Sequence, residues 1–269
     1  MVIQQLRPGV HAANARVVLF DFDGTLSTIR SGWVDVMIPM MVRILRETGT
    51  EESDAELEGV VSEFVGRLTG KQTMYQMIEL AENVERRGGT PPDPLVYKTL
   101  YLDLLHEKIK DRLEALRAGT VDPEQYMVPG SKALLDALRA RGLKMYLASG
   151  TDHAYMLEEA TLLGVTPYFD GHVYGALDDF KSFSKKILIQ RLIAGSEFRG
   201  DEFLGFGDGY VEIENVKEVG GVAVGVATAE PECDHIDEWK AKRLASVGAD
   251  FMIPNYANLP ELLSALFPQ

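Results

Sequence analysis

The chain has 269 residues, of which 46% are hydrophobic and 25% charged, a composition typical of a soluble globular protein. Its formal net charge of −14 disfavours nucleic acid and membranes as partners, because an acidic surface repels phosphate backbones and anionic lipid. The single cysteine, Cys233, excludes an internal disulfide, no apolar run approaches the roughly 18 residues that a membrane span needs, and residues 1–16 lack a signal-peptide pattern, so we expect a cytoplasmic protein.

The predicted elements begin with one short strand. VVLF at 17–20 is an apolar run of strand length, and an Asp-x-Asp sequence follows it directly. Apolar residues at helical spacing then predict four helices, at 34–47, 55–68, 73–87 and 94–118. The stretch from 30 to 125 is therefore predicted to be entirely helical.

From residue 128 onward, predicted strands alternate with helices. Helices are predicted within 128–142, at 154–163 and at 183–194, the last capped by Ser182, and strands at 143–149, 202–208, 222–226 and 249–255. This alternation is typical of an α/β fold with a parallel sheet covered on both faces. We predict a core of residues 1–29 and 126–269, interrupted by a helical cap domain at 30–125.

Three of the predicted strands end in polar residues. These are, in chain order, Asp21 and Asp23, then Ser149, Gly150, Thr151 and Asp152, then Asp208 with Gly209 and Glu212. Ligands bind at the carboxyl ends of the strands in an open parallel sheet, so we expect these residues to meet. Three aspartates that lie so near one another repel unless a cation is bound between them. Carboxylate oxygens are ligands that suit Mg²⁺.

Each of these segments also has an ordinary structural interpretation. An Asp-Gly pair marks a turn, and Ser-Gly-Thr after a strand can serve as a helix N-cap. Their occurrence at three strand ends, in this order, is what predicts one shared site.

The strand-end segments resemble the motifs of the haloacid dehalogenase (HAD) superfamily, in its phosphatase branch. The segments are DFDGTLS at 21–27, LASGT at 147–151, a lysine within FKSFSKK at 180–186, and GFGDGYVEI at 205–213. A helical insertion between the first and second motifs is similar to the family's C1 type of cap. The resemblance implies a Rossmann-like parallel sheet with an inserted cap domain.

The resemblance also implies a role for each motif residue. Asp21 is the expected nucleophile, which forms an aspartyl-phosphate, and Asp23 the expected general acid and then base. Ser149 is expected to donate a hydrogen bond to the phosphoryl oxygens, and Lys185 to neutralise charge between Asp21 and phosphate. Asp208 is expected to hold Mg²⁺ together with the Asp21 carboxylate and the backbone carbonyl of Asp23.

Two motif positions stay open. Lys181, Lys185 and Lys186 compete as the motif lysine, and apolar residues at helical spacing after Lys185 favour that residue. Glu212 stands where the family more often has Asp, so a role in orienting a metal-bound water or the lysine is left undecided.

The candidate substrate contacts are Gly150, through its backbone N–H, and Arg30 and Lys71, which could meet the far end of the substrate. For Lys71, a solvated loop position is an equal alternative. Specificity is expected to come from the cap, because the motif residues only recognise phosphate.

The predicted function is that of a Mg²⁺-dependent phosphatase acting on a small phosphorylated metabolite, with a sugar phosphate as one candidate. A phosphomutase of the β-phosphoglucomutase type is the alternative within the superfamily, and a non-catalytic binding module is the alternative of another class. The acid at Asp23 disfavours a dehalogenase or a phosphonate hydrolase, which do not need it. The sequence does not determine the oligomeric state.

Overall fold

A computed structural model describes residues 3–177, 184–195 and 198–268. The chain divides into two compact units, one formed by Met1–Ser31 with Ala115–Gln269 and the other by Gly32–Glu114. The sequence analysis had placed these boundaries at 29/30 and 125/126.

The helical unit is built from amphipathic helices. Met37, Met40, Met41 and Leu45 form the buried stripe of the first helix, as their spacing requires. Ser53 and Glu56 cap the second helix reciprocally, an arrangement that satisfies backbone N–H groups left over at a helix start. The four helices, each differing from its predicted range by a single residue, are α1 (Val34–Arg46), α2 (Asp54–Leu68), α3 (Thr73–Arg86) and α4 (Pro94–Arg117).

The other unit is organised around one sheet. Within the described ranges the sheet has seven strands in the order β1-β7-β6-β5-β2-β3-β4. Strands β2 to β7 pair in parallel, and β1 pairs antiparallel with β7 at the edge. The strands are β1 (Gln4–Gln5), β2 (Val17–Phe20), β3 (Lys144–Asp152), β4 (Val173–Ala176), β5 (Phe203–Gly207), β6 (Val222–Val226) and β7 (Phe251–Ile253).

Both faces of the central strands are buried, which explains why β2 is apolar at every position. Val17 and Leu19 pack on one face against apolar helix residues that include Leu188, Ile213 and Leu244. On the other face, Phe20 stacks on Phe206 with ring centroids 5.0 Å apart. The helices of this unit are α5 (Ser131–Ala140), α6 (His153–Leu162), α7 (Lys185–Ala194), α8 (Tyr210–Glu218), α9 (Glu238–Ser246) and α10 (Leu259–Leu266).

The start of α7 differs from the prediction. The described helix begins at Lys185, and the side chain of Ser184 caps it by accepting from the backbone N–H of Ile187 at 3.1 Å. Ser182, the predicted cap, lies outside the described residues, as does Lys181. Strands β1 and β4 and helices α8 and α9 had not been predicted.

In the described part of the chain, none of the helices combines the length and the apolar character that crossing a membrane demands.

Candidate active site

Three neighbouring strands bring the predicted site residues together. β2 lies between β5 and β3, and Phe20 at the end of β2 is in register with Phe206 and Leu147. The backbone N–H of Asp21 donates to the carbonyl of Phe206 at 3.0 Å, which ties the first residue after β2 to β5. Because all three strands run in parallel, the residues that follow them meet at one edge of the sheet.

Asp21 is held by a buried lysine. The ammonium of Lys185 donates to Asp21 Oδ1 at 2.8 Å and also contacts the carboxylate of Glu212, and all three side chains are buried. Lys186 instead pairs with Glu218 at 2.7 Å at an exposed position. Of the three candidate motif lysines, the structure describes Lys185 and Lys186. Lys185 is the one that contacts Asp21, and Glu212 contacts Lys185 as well.

Asp23 lies beside the end of β3. Its Oδ2 accepts from the hydroxyl of Thr151 at 2.8 Å and from that of Ser149 at 3.4 Å. Its Oδ1 is buried and, among the described residues, has no hydrogen-bond partner. Burial raises the pKa of Asp23 to about 7, with Arg30 acting in the opposite direction. A carboxyl with such a pKa carries a proton in a substantial fraction of molecules at neutral pH.

Arg30 is buried against a carboxylate that the sequence analysis did not single out. Its Nε donates to both oxygens of Glu159 at 3.1 and 3.0 Å, and its Nη2 donates to Oε1 at 2.7 Å. The same Nε lies 3.8 Å from Asp23 Oδ1. The guanidinium of Arg30 is thus beside the expected acid and directed towards Glu159.

Asp208 is packed against the loop that follows β2. Gly24 has φ of +71°, and a Cβ at this position would overlap the Asp208 carboxylate, so the loop needs glycine there. The hydroxyl of Thr25 accepts from the backbone N–H of Asp208 at 3.0 Å. Burial raises the pKa of Asp208 to about 6, although Lys240 lowers it and Asp21 adds to the increase.

Lys240 provides a third cation at this edge of the sheet, after Lys185 and Arg30. Its ammonium lies 3.0 Å from Asp208 Oδ2 and 3.0 Å from Glu230 Oε1, and Glu230 also accepts from the hydroxyl of Ser31. Burial lowers the pKa of Lys240, but Asp208 and Glu230 raise it by more, so that its pKa lies above the usual value. Lys240 therefore stays protonated at neutral pH and keeps a positive charge next to the Asp208 carboxylate.

The donor set fits a hard divalent cation. Within the described ranges, no group of three or more acidic, histidine or cysteine side chains is placed to hold a metal ion by itself. Asp21 adds to the raised pKa of both Asp23 and Asp208, as a neighbouring negative charge does. Mg²⁺ is commonly bound by one or two carboxylates together with water and substrate, so these residues suit it.

The remaining predicted contacts have separate positions. Gly150 lies within β3, next to Ser149, whose hydroxyl accepts from the backbone N–H of Thr151 at 3.0 Å. Lys71 belongs to the helical unit, where it is exposed and its ammonium lies 5.7 Å from the centre of the Tyr75 ring.

Glu159, Glu230 and Lys240 were not predicted. Glu159 reaches Arg30 across 129 residues, so only the tertiary fold brings the two together. Glu230 and Lys240 are ten residues apart and carry no motif that marks them. Thr151 was noted at its strand end but was not assigned a role, although its position two residues after Ser149 places it on the same side of the strand.

These strands and acidic residues define a hydrolase of the haloacid dehalogenase class. A family model of the haloacid dehalogenase-like hydrolases matches residues 15–220, and the chain belongs to this family.

Solved structures share the fold at low sequence identity. A phosphonoacetaldehyde hydrolase-like protein from Oleispira antarctica superposes with a TM-score of 0.63 and 14% identity, covering 98% of this chain and 97% of that one. A predicted phosphoglycolate phosphatase from Haemophilus somnus has a TM-score of 0.59 at 14% identity, with 93% and 98% covered. The β-phosphoglucomutase of Clostridium difficile has a TM-score of 0.58 at 14% identity, with 94% and 97% covered. Among curated proteins, none matches the chain.

Proposed function

We propose that the protein is a Mg²⁺-dependent phosphatase that hydrolyses a small phosphorylated metabolite through an aspartyl-phosphate. The observation that carries this proposal is the pairing of Asp21 with the buried Lys185 at 2.8 Å, beside Asp23, whose pKa is raised to about 7. The first carboxylate is held beside a cation that can also meet phosphate, and the second can donate a proton at neutral pH.

The reaction proceeds in two displacements. In the first, a carboxylate oxygen of Asp21 forms a bond to phosphorus while the bond from phosphorus to the ester oxygen breaks, and Asp23 transfers its proton to that oxygen. In the second, Asp23 takes a proton from water, whose oxygen attacks phosphorus and releases phosphate and Asp21. Lys185 and the hydroxyl of Ser149 are assigned to the phosphoryl oxygens, where they stabilise the developing charge.

Asp21, Asp208 and the backbone carbonyl of Asp23 are the groups that would hold Mg²⁺. When bound, the cation would offset the repulsion between an anionic nucleophile and an anionic phosphate. Lys240 and Thr25 contact Asp208 and hold it at the loop after β2. The Asp208 carboxylate is therefore already in position before any cation binds.

The backbone N–H of Gly150 is assigned to the phosphoryl oxygens, next to the hydroxyl of Ser149. Lys71 stays open between a contact with the rest of the substrate and a solvated loop position. The burial of Arg30 against Glu159 favours a different role for that residue than contact with the far end of a substrate.

The named activities of the structural neighbours do not choose between reaction types, because likeness at this identity shows only the fold. A neighbour is called phosphonoacetaldehyde hydrolase-like, but Asp23 supplies an acid that cleavage of a carbon–phosphorus bond does not require. A phosphomutase would use the same aspartates, so it must be separated from a phosphatase by experiment. The presence of Asp21, Asp23, Lys185 and Asp208 argues against a binding module that has lost catalysis.

The test is phosphate release from a panel of phosphorylated metabolites with Mg²⁺, alongside Asp21→Asn and an EDTA-treated sample. Release that requires both Asp21 and the metal supports the phosphatase. Conversion of a hexose 1-phosphate to the 6-phosphate without release would instead identify a mutase. Release that survives Asp21→Asn would overturn the nucleophile assignment.

A further inference from the structure

The Arg30–Glu159 ion pair lies next to the expected acid and is not part of the motifs. Both residues are buried, with 8% and 2% of their surface exposed. Arg30 is on the segment after β2, and Glu159 is on α6, which follows β3. The pair therefore joins the two segments that also carry Asp23 and its hydroxyl partners.

The Arg30 nitrogen that faces Asp23 is Nε, and it already donates its hydrogen bonds to Glu159. Nε is 3.8 Å from Asp23 Oδ1, beyond hydrogen-bond range, while it donates to both Glu159 oxygens at 3.1 and 3.0 Å. Asp23 Oδ1 is buried and, in the described part of the chain, accepts no hydrogen bond. A shift of about 1 Å would bring the guanidinium onto this oxygen, since a charge-assisted N–H···O bond is about 2.8 Å long.

Such a bond would change the position of Asp23. The carboxyl is now oriented by Thr151 at 2.8 Å and Ser149 at 3.4 Å, both on Oδ2. A guanidinium bound to Oδ1 would draw the carboxyl towards Arg30 and out of the position in which Thr151 and Ser149 hold it.

We infer that Glu159 is a positioning residue that binds Arg30 and so keeps it from capturing Asp23. The inference rests on the proposed function, in which Asp23 protonates the leaving oxygen. Arg30 then acts as the anchor for Glu159 and α6 rather than as a substrate contact.

The kinetic test measures kcat/KM of the Mg²⁺-loaded protein for a series of aryl and alkyl phosphates. This parameter reports formation of the phospho-enzyme, the step in which the leaving oxygen is protonated. In Glu159→Gln we expect a loss of about tenfold or more for methyl phosphate and a much smaller loss for p-nitrophenyl phosphate, whose leaving group needs little protonation. An equal loss for all leaving groups would overturn the inference.

A second variant tests the capture directly. Arg30→Met combined with Glu159→Gln removes the guanidinium, so activity on methyl phosphate should recover towards the wild-type value. If Arg30 contacted substrate, the double variant would be no better than Glu159→Gln, and the inference would be wrong. The control is Asp250→Asn, which weakens the ion pair of the buried Asp250 with the partly buried Lys217 at 2.8 Å and should leave the leaving-group dependence unchanged.

The geometry is tested without metal or substrate. In a crystal structure of metal-free Glu159→Gln, Arg30 Nε should lie within hydrogen-bond distance of Asp23 Oδ1, and a separation that stays at 3.8 Å would refute the capture. This measurement stands even if the wild-type protein hydrolyses neither these esters nor any phosphorylated metabolite of the panel, an outcome that would reject the proposed function and not the positioning of Arg30. If Glu159→Gln does not fold, side-chain NMR signals of Arg30 in Glu159→Asp give the same comparison.

Discussion

At the scale of single residues, Lys185 and Lys186 offer a matched pair of neighbours. Lys185 is buried on Asp21, whereas Lys186 pairs with Glu218 at an exposed position. Lys185→Met should lower kcat/KM for the best substrate by about 100-fold or more, because a preorganised charge next to the transferring phosphoryl group is lost. Lys186→Met should change it by less than about threefold, since exposed ion pairs contribute little. Equal effects of the two substitutions in a phosphate-release assay would contradict the assignment of Lys185.

Lys240 leads to a prediction about stability. Lys240→Met leaves the carboxylates of Asp208 and Glu230 without the cation that lies 3.0 Å from each. The three side chains are partly buried, so removing the cation should cost less than breaking a fully buried pair, on the order of 2 kcal/mol. The variant should therefore unfold at a lower urea concentration in EDTA. Lys242→Met, on the exposed side of the same helix, is the control and should unfold like the wild type. If the urea midpoint of Lys240→Met equals that of the wild type, the ion pairs of Lys240 contribute nothing to stability.

The residues predictable from sequence are those that stand at strand ends. Asp21, Asp23, Ser149 and Asp208 could be found because a strand pattern stops at each of them and the parallel-sheet rule brings the stops together. Glu159 and Lys240 lie within helices, far along the chain from their partners. Their pairing depends on how α6 and α9 pack, which a single sequence does not encode locally.

At the scale of elements, the start of α7 positions Lys185, the lysine proposed to act in catalysis. Ser184 caps this helix by accepting from Ile187, and Lys185 is its first residue. Ser184→Ala should cost about 1 kcal/mol of unfolding free energy and lower kcat/KM by up to about tenfold, because small displacements of a catalytic group slow the reaction.

Ser53→Ala is the matched control for this cap. Ser53 accepts from the backbone of Glu56 at the start of α2, in the helical unit. The substitution should cost a similar unfolding free energy without the change in kcat/KM. If Ser53→Ala slowed the reaction as much as Ser184→Ala, the loss would reflect general destabilisation and not the position of Lys185.

The elements differ in how far sequence could predict them. Helices α1 to α4 carry apolar residues at helical spacing over 13 or more residues, and their predicted bounds agree with the structure to one residue. Strand β1 has two residues, and β4 contains Gly175 among its four, so neither shows the continuous apolar run that identified β2. Helix α9 buries only Leu244 along its nine residues, so it has almost no apolar stripe to recognise.

At the scale of the whole molecule, the order of strands could not have been read from the sequence. The alternation of strands and helices predicts a parallel sheet, and the observed order then places β2 between β5 and β3. The hydrophobic pattern determines which residues are buried between the sheet and the helices that cover it. The order of the strands depends on how the crossover helices pack against the sheet. The parallel-sheet rule predicts that the three strand ends lie at one edge of the sheet, whereas the structure shows which strands are neighbours.

The excess of carboxylates makes the stability of the metal-free protein depend on pH. Folding raises the pKa of Asp23 from 3.8 to about 7 and that of Asp208 to about 6, so the folded state favours their protonated forms. The resulting stabilisation is complete below the unfolded pKa of about 4 and is lost as pH rises through 6 to 7. In EDTA, the unfolding free energy should fall between pH 5 and pH 8 by an amount on the order of 4 kcal/mol.

Two comparisons identify the groups that cause this fall. Asp23→Asn removes one of the titrating carboxyls, so its urea midpoint should change less with pH than that of the wild type in EDTA. Added Mg²⁺ should raise the wild-type midpoint more at pH 8 than at pH 5, because the cation favours ionised carboxylates that protons occupy at low pH. A wild-type midpoint that is constant or rises with pH in EDTA would contradict the raised pKa values, and an identical slope in Asp23→Asn would assign the effect to other groups.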